Sequence, residues 1–185
     1  METGNVTGVS RTAIGVAWLR AMEGRRPDAL FEDPYAEAFV AEAMASIAED
    51  PAVAAGQLDK AARLFGLHIV LRTRFYDDYL LAAAGAGCHQ VVLLAAGLDT
   101  RAFRLPWPAG TRLFELDLPE LLDYKERVLA AQRARPRCER TVLRVDLRGD
   151  WPAALAGAGL RPDEPTGWLI EGLLVYLSPE EATGL

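Results

Sequence analysis

Residues 91–105 read "VVLLAAGLDTRAFRL". A short apolar run gives way to two alanines and a glycine, then at once to an acid, a hydroxyl and a base. Continuous apolar runs of this length are strands buried on both faces, as in a parallel sheet covered by helices. In open α/β sheets, ligands bind beyond the carboxyl ends of the strands. The turn at Ala95-Ala96-Gly97 therefore predicts one part of a binding edge.

The same grammar repeats downstream. "RLFELDL" predicts a second strand, "TVLRVDL" a third and "GWLIEGLLVYL" a fourth. Between them lie "PELLDYKERVLAAQRAR", a helix opened by Pro119, and the short helix "DWPAALAGAG". Strands alternating with helices imply a parallel, doubly wound sheet. Upstream the chain reads as helical. "RTAIGVAWLRAMEG" puts Ile14, Ala17, Trp18 and Ala21 on one face and stops at Gly24. Asp33 reads as an N-cap ahead of Pro34, and "DKAARLFGLHIVLRTRFYDDYLLAAAGAG" is one long helix or two, closing at Gly85. The expected organisation is an N-terminal helical segment, 1–84, and a Rossmann-like cofactor-binding portion, 85–185, together one structural domain.

Composition bounds the function. The 185 residues are 51% hydrophobic and 25% charged, as expected of one globular domain. A net charge of −6 with scattered basic residues disfavours nucleic acid as a partner. No apolar run approaches the ~18 residues of a membrane span, and "METGNVTGVS" is no signal peptide, so a cytoplasmic location is expected. Cys88, Cys138, His68 and His89 lack metal-ligand spacing, so no metal is expected.

Each predicted strand ends in a polar signal. Gly97 and Asp99 follow the first, Glu115 and Asp117 share one face of the second, Asp146 ends the third, and Glu171 lies in the fourth. An acid about 20 residues after a glycine turn is the spacing with which βαβ folds grip ribose hydroxyls, and Asp117 stands 20 residues after Gly97. A dinucleotide would need three glycines facing its pyrophosphate; "AAGLDTRA" has one, with an acid where phosphate would be repelled. A ligand with ribose, adenine and positive charge but no phosphate fits better. S-adenosyl-L-methionine is such a ligand.

"RTRFYDDYLL", "AGLDTRAFRL", "ELDLPE", "RVDLRGDW" and "WLIEGLLVYL", in that order, resemble the S-adenosylmethionine-dependent methyltransferases of the leucine carboxyl methyltransferase-like superfamily. The bacterial branch of that superfamily is the nearest, and "TAIGVAWLRA" and "DPYAEAFV" match it too. The resemblance implies a Rossmann-like class I methyltransferase sheet and O-methylation of a carboxylate or hydroxyl on an unknown acceptor. It implies ribose binding by Asp117 with Glu115 nearby, adenine recognition by Asp146 and Leu147, and close backbone approach at Gly97. Arg72 would pair with the cofactor carboxylate, Glu171 would lie under its amino group or sulfonium, and Arg20 is a weaker contact. No catalytic base stands out. The family's turn commonly begins with glycine where this chain has Ala95.

Other readings stay open. Asp117 could cap the helix at Pro119, Asp146 could be a turn residue, and Arg72 could pair with an acid on its own helix. Asp99 and Arg101 are expected to form an internal ion pair, and Trp168 and Tyr176 to be core. A binding module without turnover, or another nucleotide-binding Rossmann protein, are the alternatives in function. Finally, "SPEEATGL" is a capping-box helix start. Four strands are legible where the resembled fold has seven, so the sheet is expected to be truncated after the fourth. The bare edge of that strand, roughly 30 Å at ~3.3 Å per residue, is expected to self-associate, to swap elements with another chain, or to need a further C-terminal portion for catalysis.

Overall fold

The computed structural model of the chain describes residues 8–47 and 60–185. Three helices come first: α1 (Gly8–Gly24), α2 (Ala36–Ile47) and a single long α3 (Lys60–Gly85). Then follow β1 (Gln90–Leu94), α4 (Arg101–Arg104), β2 (Arg112–Asp117), α5 (Pro119–Ala131), β3 (Glu139–Arg144), α6 (Trp151–Gly157), β4 (Thr166–Ile170), a 3₁₀ turn at Leu174–Tyr176 and α7 (Pro179–Gly184). All strand pairings are parallel, in the order β3-β2-β1-β4. The α/β architecture expected of a Rossmann-like methyltransferase is therefore present. No described helix is long and apolar enough to cross a membrane.

β1 is central and all five of its residues are buried, so Val91 to Leu94 are apolar without a break, and the amide of Gln90 is satisfied by Arg161 and Thr166. Its alternation divides the core in two. Val91 and Leu93 face Phe39, Leu80, Leu121 and Val128, from α2, α3 and α5. Val92 and Leu94 face Phe114, Leu116 and Leu155, with Trp151 of α6 against them. The local signals work as expected at several ends. Asp33 accepts the N–H groups of Tyr35 and Ala36 ahead of α2, Asp150 caps α6, and Ser178 and Glu181 form a reciprocal capping box on α7.

Three expectations need correction. The fourth strand stops at Ile170 rather than running to Leu177, because the chain turns at Gly172, whose φ of 74° lies in the left-handed region. Its edge is thus about 17 Å long rather than 30 Å. Glu171 consequently lies just beyond the strand, half-buried among arginines rather than within an apolar strand. Trp168 and Tyr176 are not core: they are 42% and 47% exposed, although Trp168 makes an edge-to-face contact with Trp151 of α6.

Candidate cofactor-binding site

A parallel sheet places all its carboxyl ends on one edge. Across that edge stand Asp146, Asp117, Gly97 and Glu171, at or just beyond the ends of β3, β2, β1 and β4 in the sheet's own order. At ~4.8 Å between strands the row spans about 15 Å. A cavity of about 700 Å³ opens over it, lined by Arg72, Gly97, Asp117, Asp146, Leu147 and Glu171 among others. Six of the seven residues expected at the site therefore meet there.

Asp117 is the best defined. Its Oδ2 accepts the Gly97 N–H at 2.6 Å and its Oδ1 accepts the Leu118 N–H at 2.7 Å. It makes no side-chain cap for α5, so the helix-cap reading fails. It ties the end of β2 to the turn after β1. Burial pushes its carboxyl above the usual carboxylate range, although both N–H groups pull it down. A desolvated carboxylate in a cavity gains most from a ligand that brings donors, and vicinal hydroxyls are such donors. At Gly97, with φ 48°, a Cβ would stand 3.9 Å from that same Oδ2 and over the cavity floor. Ala95, two residues earlier, is held at φ 54°, a conformation an alanine adopts only at a cost of about 1–2 kcal/mol.

Asp146 sits at the exposed rim. Arg148 grips it with Nη2 at 2.5 Å, Nε at 3.0 Å and its backbone N–H at 2.9 Å. That grip holds its carboxyl down at about 2. Leu147 packs its side chain against the Phe114–Leu155 core and lines the cavity. Glu115 is the residue the structure leaves out. It is fully buried below the cavity, where Lys125 Nζ (2.6 Å) and Arg140 Nη2 (2.7 Å) donate to one oxygen.

Arg72 pairs with neither acid of its own helix. Its Nε donates to Glu171 Oε1 at 2.8 Å, which brings two of the expected residues together. Behind them stands Arg101, 2% exposed. Its Nη1 donates to Glu171 Oε2 at 2.9 Å and to Asp99, and its Nε to Asp77 at 2.7 Å. The expected Asp99–Arg101 pair is thus one link of a larger network. Burial alone would raise the Asp99 carboxyl, but the charge of Arg101, with Lys125 and Arg104, holds it at about 2. The same carboxylates keep the Arg101 guanidinium raised against its own burial. Arg104 clasps Asp77 with both terminal nitrogens, at 2.6 and 2.7 Å. Arg20 donates to Asp33 at 2.8 Å and to the Leu98 carbonyl at 2.7 Å, bracing the turn from α1.

Sequence reading missed Asp77 and the reach of Arg101. A signal existed: Ile69, Thr73, Asp77, Leu80 and Ala84 keep a helical period and are all buried, so an acid on that face required a cation opposite it.

A four-stranded parallel sheet with helices, one glycine in its first turn and a desolvated acid at the end of its second strand is a Rossmann-like α/β arrangement. Comparison with known proteins is more specific. A sequence model of the leucine carboxyl methyltransferase family matches residues 13–185, and the chain belongs to that family. A protein of Parafrankia sp. (strain EAN1pec), named as a candidate S-adenosyl-L-methionine-dependent methyltransferase, is 57% identical over 178 residues, covering 96% of this chain and 57% of the relative. Similarly named proteins of Streptomyces avermitilis and Mycobacteroides abscessus are 51% and 49% identical, covering 97% and 93% of this chain and 63% and 56% of their own lengths. The chain thus spans about six-tenths of the length of the curated relatives it matches.

Proposed function

We propose that the chain binds S-adenosyl-L-methionine across its strand-end row and forms the cofactor-binding portion of an O-methyltransferase acting on a hydroxyl or carboxylate. The observation that carries the reading is Asp117, desolvated, braced by the Gly97 N–H at 2.6 Å and facing the cavity. Its remaining lone pairs accept the ribose hydroxyls. Asp146 and Leu147 hold the adenine, one by its amino group and the other by its ring. The backbone at Gly97 lies along the methionine portion, Arg72 receives the carboxylate with its two terminal nitrogens, and Glu171 attracts the ammonium or sulfonium. The acids along the row repel a pyrophosphate, which argues against a dinucleotide. Bound there, the cofactor supplies a methyl group on a strong leaving group, so the residues of this chain contribute chiefly by orientation.

Isothermal titration with S-adenosylhomocysteine, S-adenosylmethionine and NAD tests the reading. The first two are expected to bind and NAD to fail. Preference for NAD, or no binding by either S-adenosyl ligand, refutes it. The alternative reading is binding without turnover. A methyl-transfer assay with added hydroxyl and carboxylate acceptors separates the two.

A further inference from the structure

Helix α5 buries Leu121, Leu122, Lys125, Val128 and Leu129 along one face. Four are apolar, and the fifth is a lysine with no exposed surface. A lysine is almost never fully buried unless it is paired. Here Nζ donates to Glu115 Oε2 at 2.6 Å. Arg140 Nη2 donates to the same oxygen at 2.7 Å and to Glu126 Oε1 at 2.6 Å, while Glu115 Oε1 has no partner among the described residues. An ion pair buried this way adds little stability over apolar side chains of similar volume, so its reason lies in where it stands. Glu115 and Asp117 share one face of β2, one strand repeat of about 7 Å apart. The pair therefore lies beneath the carboxylate that faces the cavity.

Asp117 needs such a neighbour. Taking it out of water favours its neutral form, and a neutral acid is a weaker acceptor for hydroxyls than a carboxylate. The charged groups around it are Glu115 on its own strand, Lys125 and Asp123 on α5, Arg140 and Arg144 on β3, and Asp99 after β1. Arg144, exposed, is bound to Asp123 at 2.7 Å, Arg140 is shared between Glu115 and Glu126, and Asp99 is held by Arg101. Lys125 is the cation that acts on Asp117. Burial raises this carboxyl, the N–H groups of Leu118 and Gly97 lower it, the ammonium lowers it further, and Glu115 opposes the ammonium more weakly. The same ammonium favours the charged form of Asp99.

Resting on the ribose reading of Asp117, we propose that Lys125 is a positioning residue for the cofactor. Pinned by Glu115 below the cavity, its ammonium lets Asp117 stand desolvated as a carboxylate and so accept the ribose hydroxyls.

Carbon-13 titration of the Asp117 carboxyl in the whole chain, assigned with Asp117→Asn, reads the effect without a ligand. Lys125→Met is expected to raise the midpoint by about one pH unit or more, Lys125→Arg to hold it near the parent's, and Glu115→Gln to lower it. The opposite signs matter, because loss of a merely structural pair would disturb Asp117 in the same way whichever partner went. Should Lys125→Met fail to fold, the double variant Lys125→Met, Glu115→Leu exchanges the whole pair for apolar groups, and its midpoint too lies above the parent's. In calorimetry with S-adenosylhomocysteine, the parent's advantage over Lys125→Met is expected to be about threefold larger at about pH 5 than at about pH 8. An Asp117 midpoint left unmoved, or moved the same way by Lys125→Met and Glu115→Gln, overturns the inference. Failure of S-adenosylhomocysteine to bind the parent at any pH refutes the cofactor reading instead, and the carboxyl titration still decides whether Lys125 sets the state of Asp117.

Discussion

Replacing Arg101 by methionine removes the centre of the network while keeping an unbranched side chain of similar length. The consequences differ among its partners. Asp77 keeps both nitrogens of Arg104, and Glu171 keeps Arg72 Nε at 2.8 Å. Asp99 is left with the backbone N–H of residue 101 at 2.6 Å and no adjacent cation. In the parent its carboxyl is held at about 2 against an ordinary 3.8, a difference worth ~2 kcal/mol. Adding the buried partners left short of a donor brings the expected loss to about 3–5 kcal/mol at pH 7, the range for breaking a buried pair from one side. The sign with pH is opposite in the two proteins. In the parent the folded pKa of Asp99 lies below the unfolded one, so its contribution is full above pH ~3.8 and lost as pH falls towards ~2. In the variant Lys125, Arg104 and the N–H of residue 101 still favour the carboxylate, but without the adjacent guanidinium burial outweighs them and raises the folded pKa, so stability is gained as pH falls through it. The two must therefore converge in acid. Urea unfolding followed by tryptophan fluorescence at pH 7 and pH 4 measures the gap, helped by Trp107, whose Nε1 bonds to the Arg101 carbonyl at 2.8 Å. A loss below ~1 kcal/mol at pH 7, or a gap that does not narrow at pH 4, would refute the reasoning.

Asp117→Ala is expected to weaken S-adenosylhomocysteine binding by about 1.5–3 kcal/mol, and Asp146→Ala by less, because Asp146 is exposed and already gripped by Arg148; a larger loss at Asp146 in titration calorimetry contradicts this. Arg72→Lys keeps the charge but loses the planar fork, so it should weaken S-adenosylmethionine and leave its decarboxylated analogue nearly unaffected; equal losses make Arg72 structural only. Ala95→Gly relieves a φ of 54°, and the gain, less the added freedom of the unfolded glycine, should stabilise by up to ~1 kcal/mol; a lower melting temperature refutes that account. The five-residue edge of β4, with Trp168 and Ile170 on its outer face and both exposed, is expected to drive self-association. Light scattering should show dimers or larger species that Ile170→Lys disperses, and a monodisperse parent at high concentration rules this out.

The sheet was legible because its strands carry a strong period. Val91–Leu94, Leu113–Leu116 and the acids after them announce both the strands and the side of the sheet on which they end. Asp117 was legible for the same reason, since its spacing from Gly97 is a property of one βαβ unit. What could not be read was anything set by packing between distant segments. Glu171 and Arg72 lie 99 residues apart, and both were assigned to a ligand without any sign that they meet each other. Glu115 looked equivalent to Asp117 because alternation places them on one face. Their fates differ because Lys125, one and a half turns into α5, lies over the first and not the second. The fourth strand was overextended because "LLVYL" is apolar enough for a strand, whereas Gly172 admits a left-handed turn that ends it.

The turn after β1 is anchored in four directions: to β2 through Gly97 and Asp117, to the segment before α2 through Thr100 and Asp33, to α3 through Arg101 and Asp77, and to the end of β4 through Arg101 and Glu171. A loop fixed this way has little conformational freedom left to surrender when a ligand arrives. Binding should therefore carry a small ordering penalty at residues 95–101, with affinity drawn from contacts already in place rather than from closure. In amide hydrogen exchange the stretch from Ala95 to Arg101 would be slow before a ligand is added and scarcely slower afterwards. The rim at Asp146–Gly149, half of it exposed, and the turn at Gly172–Tyr176, exposed at most positions, would show the protection that the bound molecule itself confers.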